Sequence, residues 1–195
     1  MQEKKIVVAS GNKNKLKEIA EMLPDFNIVG YKEFFDDEIE ETGKTFYENA
    51  LIKAKTVSER IGAPALADDS GLCVDALSGA PGIYSARYAG DGVDDHNIDL
   101  LLKNMQGVKD RKAKFVCCMV YYYKGEILTF TGEVTGEILN ERKGKNGFGY
   151  DPVFYSYELK KSMGEATANE KNSVSHRSRA INGIIKLINE KTGKP

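Results

Sequence analysis

The sequence predicts an α/β protein: a mixed β-sheet flanked by helices, arranged as two lobes with a groove between them. Three observations predict it. Ile6, Val7 and Val8 form a continuous apolar run, as suits a strand covered on both faces, and a Gly-containing loop and a helix follow it. A second helix, with an apolar stripe at Phe46, Ala50, Ala54, Val57 and Ile61, leads into another short apolar run at Ala65 and Leu66. Later, Lys114 to Tyr123 is strongly β-prone, Lys124-Gly125 makes a tight connection, and Glu126 to Thr135 returns as the partner of an antiparallel hairpin. The α/β part comes first and the hairpin second, which is what suggests the two lobes.

The 195 residues fit a single domain, 1–195, whose lobes are not independent domains. A formal net charge of −1 disfavours a broad basic face for nucleic acid. No apolar run is long enough to span a bilayer, so no membrane partner is expected. The apolar stretch from Ile6 to Ala9 is too short for a secretory signal, which makes the cytoplasm the expected location. The three cysteines, Cys73, Cys117 and Cys118, are odd in number and lack paired spacing, so they read as small buried residues of a reducing compartment. Cys117 and Cys118 are strand neighbours that point to opposite faces and are not expected to share a metal.

In chain order, Lys4 to Ala9 is the first predicted strand. Ser10, Gly11, Asn12, Lys13 and Asn14 form the connection, and Leu16, Ile19, Ala20 and Leu23 repeat at helical spacing until Pro24. A helix N-terminus offers free N–H groups and a positive dipole end, which suits phosphate, and Lys13 and Lys15 add charge. The spacing matches neither the Walker nor the Rossmann glycine pattern. Asn27 to Gly30 is a short second strand, and Tyr31 to Glu41 an irregular acidic stretch, one of whose carboxylates is available to complete a metal site. Thr45 and Glu48 make a capping box for a helix running to about Arg60. Lys53 lies off its apolar stripe, where it reaches a site at the helix edge.

The central strand is expected to end in Asp68, Asp69, Ser70 and Gly71, two carboxylates and a turn. Ligands of open α/β sheets bind beyond the carboxyl ends of strands. Adjacent carboxylates there repel each other, and a hard divalent cation offsets that charge. Asp94 is the expected cap of a helix carrying Ile98, Leu101, Leu102 and Met105. Gly136 to Leu139 suggests one more short strand. Gly147, Phe148, Gly149, Tyr150, Asp151 and Pro152 combine a close-approach backbone with flat aromatic faces, as suits a purine or pyrimidine ring. Glu165 to Val174 is a short helix or turn, and Ser175 is the expected cap of a last helix with Ile181, Ile184, Ile185 and Ile188 on one side. His176 and Arg177 in its first turn oppose the helix dipole, a local cost that points to an anion or a carbonyl oxygen as their partner.

Taken together, these stretches resemble the inosine triphosphate pyrophosphatase family, which hydrolyses non-standard purine nucleoside triphosphates. The matching stretches are residues 10–15, Glu40 to Gly43 with Thr45-Phe46 and Glu48 to Ala50, residues 67–72, Pro81 to Arg87, Gly147 to Pro152, and Glu170-Lys171 followed by Ser175 to Arg177. They come in the family's order and span nearly the whole chain. The resemblance implies an elongated sheet, a central nucleotide-binding groove, a homodimer, a requirement for Mg²⁺, and release of pyrophosphate from a small-molecule nucleoside triphosphate such as ITP, dITP or XTP.

It also implies roles. Asp69 is expected to be the base that positions or deprotonates the attacking water and to share a metal with Glu41, Glu40 being the alternative and Asp68 lying behind or facing the metal. Ser10, Gly11, Asn12, Lys13, Asn14 and Lys15 cradle phosphates, with Lys53 and Lys171 adding charge. Ser70, Phe148, Gly149, Tyr150, Asp151, His176 and Arg177 complete the substrate contacts, and His176, Arg177 and backbone N–H groups of residues 148–151 offer donors to a 6-oxo purine. Two alternatives stay open: a pyrimidine or modified-nucleotide pyrophosphatase of the septum-inhibition type, whose Ser-Pro-Arg-Arg-like loop is replaced here by Ser10-Gly11-Asn12-Lys13, and a non-catalytic nucleotide-binding module.

Overall fold

A computed structural model describes residues 4–192. One seven-stranded mixed sheet carries the fold, in the order β2-β1-β3-β4-β5-β6-β7. Its strands are β1 (Lys4–Val8), β2 (Phe26–Gly30), β3 (Ala65–Val74), β4 (Lys112–Tyr123), β5 (Glu126–Ile138), β6 (Phe154–Ser156) and β7 (Lys161–Ser162). The helices are α1 (Lys13–Met22), α2 (Phe46–Ile61), α3 (Asp94–Asn104), α4 (Ala168–Val174) and α5 (His176–Thr192). β1 pairs in parallel with β2 and β3, and β6 runs antiparallel to β5 and β7. Parallel pairs need helical crossovers, which α1 and α2 provide. β4 and β5 join through Lys124 and Gly125, both at positive φ (47° and 85°), the turn whose twist matches a hairpin.

The described residues divide into two compact units, residues 4–69 with 117–132 and 178–192, and residues 70–116 with 133–177. In the first, successive strand residues feed opposite cores. Val7, Ala65, Ala67, Cys118 and Val120 pack with Ala50, Ala54 and Val57 of α2. Val8, Leu66, Cys117 and Met119 pack with Ile19 of α1 and Ile181 and Ile184 of α5. The period-2 alternation of strands produces this layering, and it places Cys117 and Cys118 in different cores as expected. The second unit centres on Leu72, Val74, Ile98, Leu101, Phe115, Ile138 and Phe154, so the apolar face of α3 closes a core of strand side chains.

Four expectations need correction. β3 does not end at the acidic pair but continues to Val74, and the chain turns only at Ser78 and Gly79, both at positive φ. Ser and Gly favour turns, but sheet pairing and burial on both faces override that preference. The carboxylates therefore lie mid-strand, and Asp68 and Asp69 face opposite sides of the sheet. Gly136 to Ile138 is the end of β5 rather than a separate strand. Asp94 is the first residue of α3, not its cap; the cap position is Val93, without a side-chain bond. Lys53 belongs to the buried face of α2, at 8 % exposure, because its ammonium has acceptors there. Thr45 caps α2 as predicted, but the box does not close, because the Glu48 carboxylate accepts from the Lys44 N–H rather than from that of Thr45; the start of α5 at His176 is as predicted.

Candidate active site

In the first unit the loop after β1 is set by its own side chains. Ser10 Oγ, nearly buried, accepts the Asn12 N–H at 3.2 Å. Asn12 caps α1, its Oδ1 accepting from Asn14 N at 2.9 Å and Lys15 N at 3.2 Å. Three of the N–H groups expected to meet phosphate, those of Asn12, Asn14 and Lys15, are thus already used. What the loop offers is mainly charge: Lys13 is exposed, while Lys15 pairs with Asp68 Oδ2 at 3.0 Å. Lys17 points away, paired loosely with Glu21 at 3.9 Å.

Asp68 and Asp69 divide their work by strand parity. Asp68 shares its side of β3 with Leu66 and serves Lys15. Asp69 shares its side with Ala67 and meets α2, accepting from Asn49 Nδ2 at 3.0 Å. Lys53, one turn beyond Asn49, donates to the Asp68 carbonyl at 2.7 Å and pairs with Glu41 at 2.6 Å. Of the two candidate glutamates, Glu41 reaches this cluster, while Glu40 is exposed.

Burial raises the Asp69 carboxyl above the usual carboxylate range; Lys53 pulls it back, Glu41 pushes it up, and Lys15 and Asn49 pull it back. Burial works against charge on Lys53, yet Asp68, Asp69 and Glu41 outweigh that and raise its pKa. The result is a lysine whose charged form is favoured beside a carboxyl held above its ordinary value. A base works best with a pKa near the working pH, so this shift suits proton abstraction from water. Glu41 and Asp69 repel each other through oxygen donors only, the donor chemistry a hard divalent cation prefers. Among the described residues no group of three or more His, Cys, Asp or Glu is placed to hold a metal by itself. A cation there would draw on one or two carboxylates and on the phosphates of a substrate.

In the second unit Asp151, only 2 % exposed, organises the aromatic loop. Its Oδ2 accepts the Phe148 N–H at 2.9 Å and Lys171 Nζ at 2.6 Å. Gly147 sits at φ 76°, and a Cβ there would run into this carboxylate, so only glycine fits. Lys171 Nζ lies 4.6 Å from the centre of the half-buried Phe148 ring and Arg177 Cζ 5.8 Å from it. Arg177, at 1 % exposure, donates to Ser70 Oγ at 2.9 Å. His176 stacks on Phe115 with centroids 4.9 Å apart.

Several predicted contacts change character here. Tyr150 is buried and its hydroxyl donates to the Ser85 carbonyl at 2.8 Å, so it braces the loop from below. The Lys171 charge is matched by Asp151. The Gly149 N–H is taken by Asp94 at 2.8 Å and the Asp151 N–H by the Phe148 carbonyl at 3.3 Å. With the Phe148 N–H also bound, three of the four backbone donors of residues 148–151 are already taken within the protein.

Sequence reasoning gave no site role to Asn49, Phe115, Ser85 or Asp94, although Asn49 and Ser85 lie in the matching stretches and Asp94 was expected to cap a helix. Asn49 alone left a signal, a polar residue three after Phe46, on the apolar face of a helix. Phe115 and Ser85 find their partners only through tertiary folding.

A family model for the Ham1 family matches residues 6–187. The chain belongs to the Ham1 family. Among its curated relatives, the dITP/XTP pyrophosphatase of Staphylococcus epidermidis is 47% identical over 179 residues, covering 90% of this chain and 92% of that protein. The dITP/XTP pyrophosphatase of Treponema denticola is 47% identical over 190 residues, covering 94% and 98%. Among solved structures, the Staphylococcus aureus Ham1 protein superposes with a TM-score of 0.88 at 42% identity, covering 96% of this chain and 100% of that one. The resemblance drawn from the motifs and the mixed sheet flanked by helices are both borne out by this Ham1 membership. No helix among the described residues is long and apolar enough to cross a membrane.

Proposed function

We propose that this protein hydrolyses non-standard purine nucleoside triphosphates of the ITP, dITP and XTP kind to the monophosphate and pyrophosphate, clearing deaminated purines from nucleotide pools. The observation that carries the reading is Asp69: a buried carboxylate with a raised pKa, oriented by Asn49 and flanked by Lys53 and Glu41. The relatives named dITP/XTP pyrophosphatase support the substrate class.

In this reading Asp69 takes a proton from water as the water oxygen attacks the α-phosphorus, and the bond to the bridging oxygen breaks so that pyrophosphate leaves. Lys13 and Lys15 neutralise phosphate charge. Lys53 keeps Glu41 and the start of α2 in place. Mg²⁺, held by Glu41 and Asp69, would supply charge neutralisation at the phosphate oxygens. Positioning and electrostatics are most of what such chemistry requires. The purine lies on Phe148, and Arg177 and His176 donate to its 6-oxo group. Adenine, with an amino group at that position, leaves those donors unmatched, a mismatch that costs ~10⁴-fold in related cases. A homodimer, taken from the family resemblance, and a cytoplasmic location, taken from the short N-terminal apolar run, complete the proposal.

The reaction is tested by running it in ¹⁸O-water. Label in the monophosphate, with pyrophosphate unlabelled, is the expected result; label in orthophosphate alongside a diphosphate would mean attack at the γ-phosphorus and reject the mechanism. Removing the base platform is a separate test. Phe148→Ala is expected to lower kcat/KM for ITP by roughly 5- to 150-fold, the value of one base–aromatic stack of about 1–3 kcal/mol, mainly through KM. Unchanged KM would remove Phe148 from the base site.

A further inference from the structure

We propose that Asn49 is a positioning residue that ties the arm carrying Glu41 to the Asp69 carboxylate, so that the two acidic groups hold one fixed spacing. The inference rests on the catalytic reading above and adds a residue to it.

Asn49 is fully buried on the inner face of α2. Its amide offers one acceptor and one donor end, and both are used. Gly43 N–H donates to Oδ1 at 2.8 Å. A backbone N–H can only donate, so Oδ1 must face Gly43, and this leaves Nδ2 aimed at Asp69 Oδ2, 3.0 Å away. The next arm residue is held as well: Lys44 N–H donates to Glu48 Oε2 at 2.6 Å. Gly43 lies so close that a Cβ there would come within 2.6 Å of Glu48 Cβ and 2.7 Å of Asn49 Oδ1. Two residues upstream, Glu41 pairs with Lys53, which is one helical turn beyond Asn49. Consecutive turns of α2 thus grip the arm at Gly43 and at Glu41, and the upper grip is also the hydrogen bond that orients Asp69.

A buried amide in a helical apolar stripe is costly unless its hydrogen bonds are made, and an alanine or leucine would fill the position without that constraint. Packing alone does not call for an asparagine here. The need to satisfy an N–H on one side and a carboxylate on the other does.

The experiment has a kinetic arm and an exchange arm. In the kinetic arm, kcat and KM for pyrophosphate release from ITP are measured for Asn49→Ala, Gly43→Ala and the double variant, with melting temperatures recorded. Asn49→Ala is expected to lose ~10- to 100-fold in kcat with KM little changed, the scale of a reacting group displaced by about 1 Å. Gly43→Ala, which leaves Asp69 untouched, is expected to lower kcat as well, and the double variant to be no worse than Asn49→Ala, since a broken tie cannot be broken twice. Wild-type kcat in Asn49→Ala, a loss confined to KM, or fully additive losses would overturn the proposal. In the exchange arm, amide hydrogen exchange at Gly43 is followed in Asp69→Ala. Loss of the Nδ2 acceptor is expected to loosen Asn49 and speed Gly43 exchange several-fold; unchanged exchange would show the two sides to be independent. If the wild-type protein released no pyrophosphate from any nucleotide, the catalytic reading would fall while the exchange arm still decided the tie.

Discussion

Asp69→Asn abolishes pyrophosphate release, by three orders of magnitude or more, and leaves nucleotide binding within a few-fold of the parent. The expectation follows from the two things Asp69 supplies, a proton acceptor and a negative charge, neither of which asparagine provides at neutral pH. Because the substitution keeps shape, it leaves the aromatic loop and the phosphate loop unaltered. It has a second, opposite consequence. Burial raises the Asp69 pKa in the folded protein, so the folded state holds this proton more tightly than the unfolded chain does. Stability therefore falls as pH rises from the ordinary carboxylate value, about 3.9, through the raised folded value, and the penalty is fully present above it. The asparagine variant escapes that penalty. Its melting temperature at neutral pH is expected to equal or exceed the parent's in metal-free buffer, with the difference vanishing on acidification to about pH 4. Lower stability at neutral pH would show that Asp69 is a structural ion-pair partner rather than a strained functional group. The trade of stability for activity is common at such sites.

Lys53→Met is the second large effect, and it runs the other way. Lys53 is the cation shared by Glu41 and the Asp68 carbonyl, and Asp68 and Asp69 both favour its charge. Methionine fills much the same space but leaves buried carboxylates without their counter-charge. Breaking one partner out of a buried ionic cluster costs about 3–5 kcal/mol, which for a chain of this size lowers the melting temperature on the order of 10 °C. Turnover falls with it, because the Glu41 arm loses its anchor and the Asp69 pKa climbs further once Lys53 no longer lowers it. The sign of the pH dependence is specific. With the carboxyl pKa higher still, the stability deficit is greatest at neutral pH and shrinks as the medium is acidified and the carboxylates take up protons. A deficit independent of pH would mean that packing, not charge, is what Lys53 contributes.

How far these features can be read in the sequence depends on the range of the interaction. Helix starts are local, and the Thr45 cap and the opening of α5 at His176 were both legible from spacing. Strand alternation is also local, and it separated Cys117 from Cys118 correctly. The acidic pair was visible as a pair, but not its division of labour. The expected Ser70-Gly71 turn hid the fact that β3 continues, and only a continuing strand sends Asp68 to Lys15 and Asp69 to Asn49. Nor did the loop sequence reveal that Asp94, Asp151 and the Phe148 carbonyl already occupy its N–H groups. Asn49 meets Asp69 across 20 positions, and Tyr150 meets Ser85 across 65; no local pattern encodes either contact. Local rules gave the elements and most of the chemical groups, and tertiary contacts decided which groups act on substrate and which hold others in place.

The most direct measurement is pyrophosphate release with Mg²⁺ from ITP, dITP, XTP, GTP, ATP and dTTP side by side, with Asp69→Asn as the control. Fast release from ITP, dITP and XTP, little from ATP and dTTP, and none from the variant is the predicted result, while release from GTP, which also carries a 6-oxo group, measures any reading of the 2-amino group. Equal release from all six would keep Asp69 and contradict the role of Arg177 and His176 in reading the base. Release from dTTP but not ITP, or undiminished release by the variant, would contradict the central claim itself.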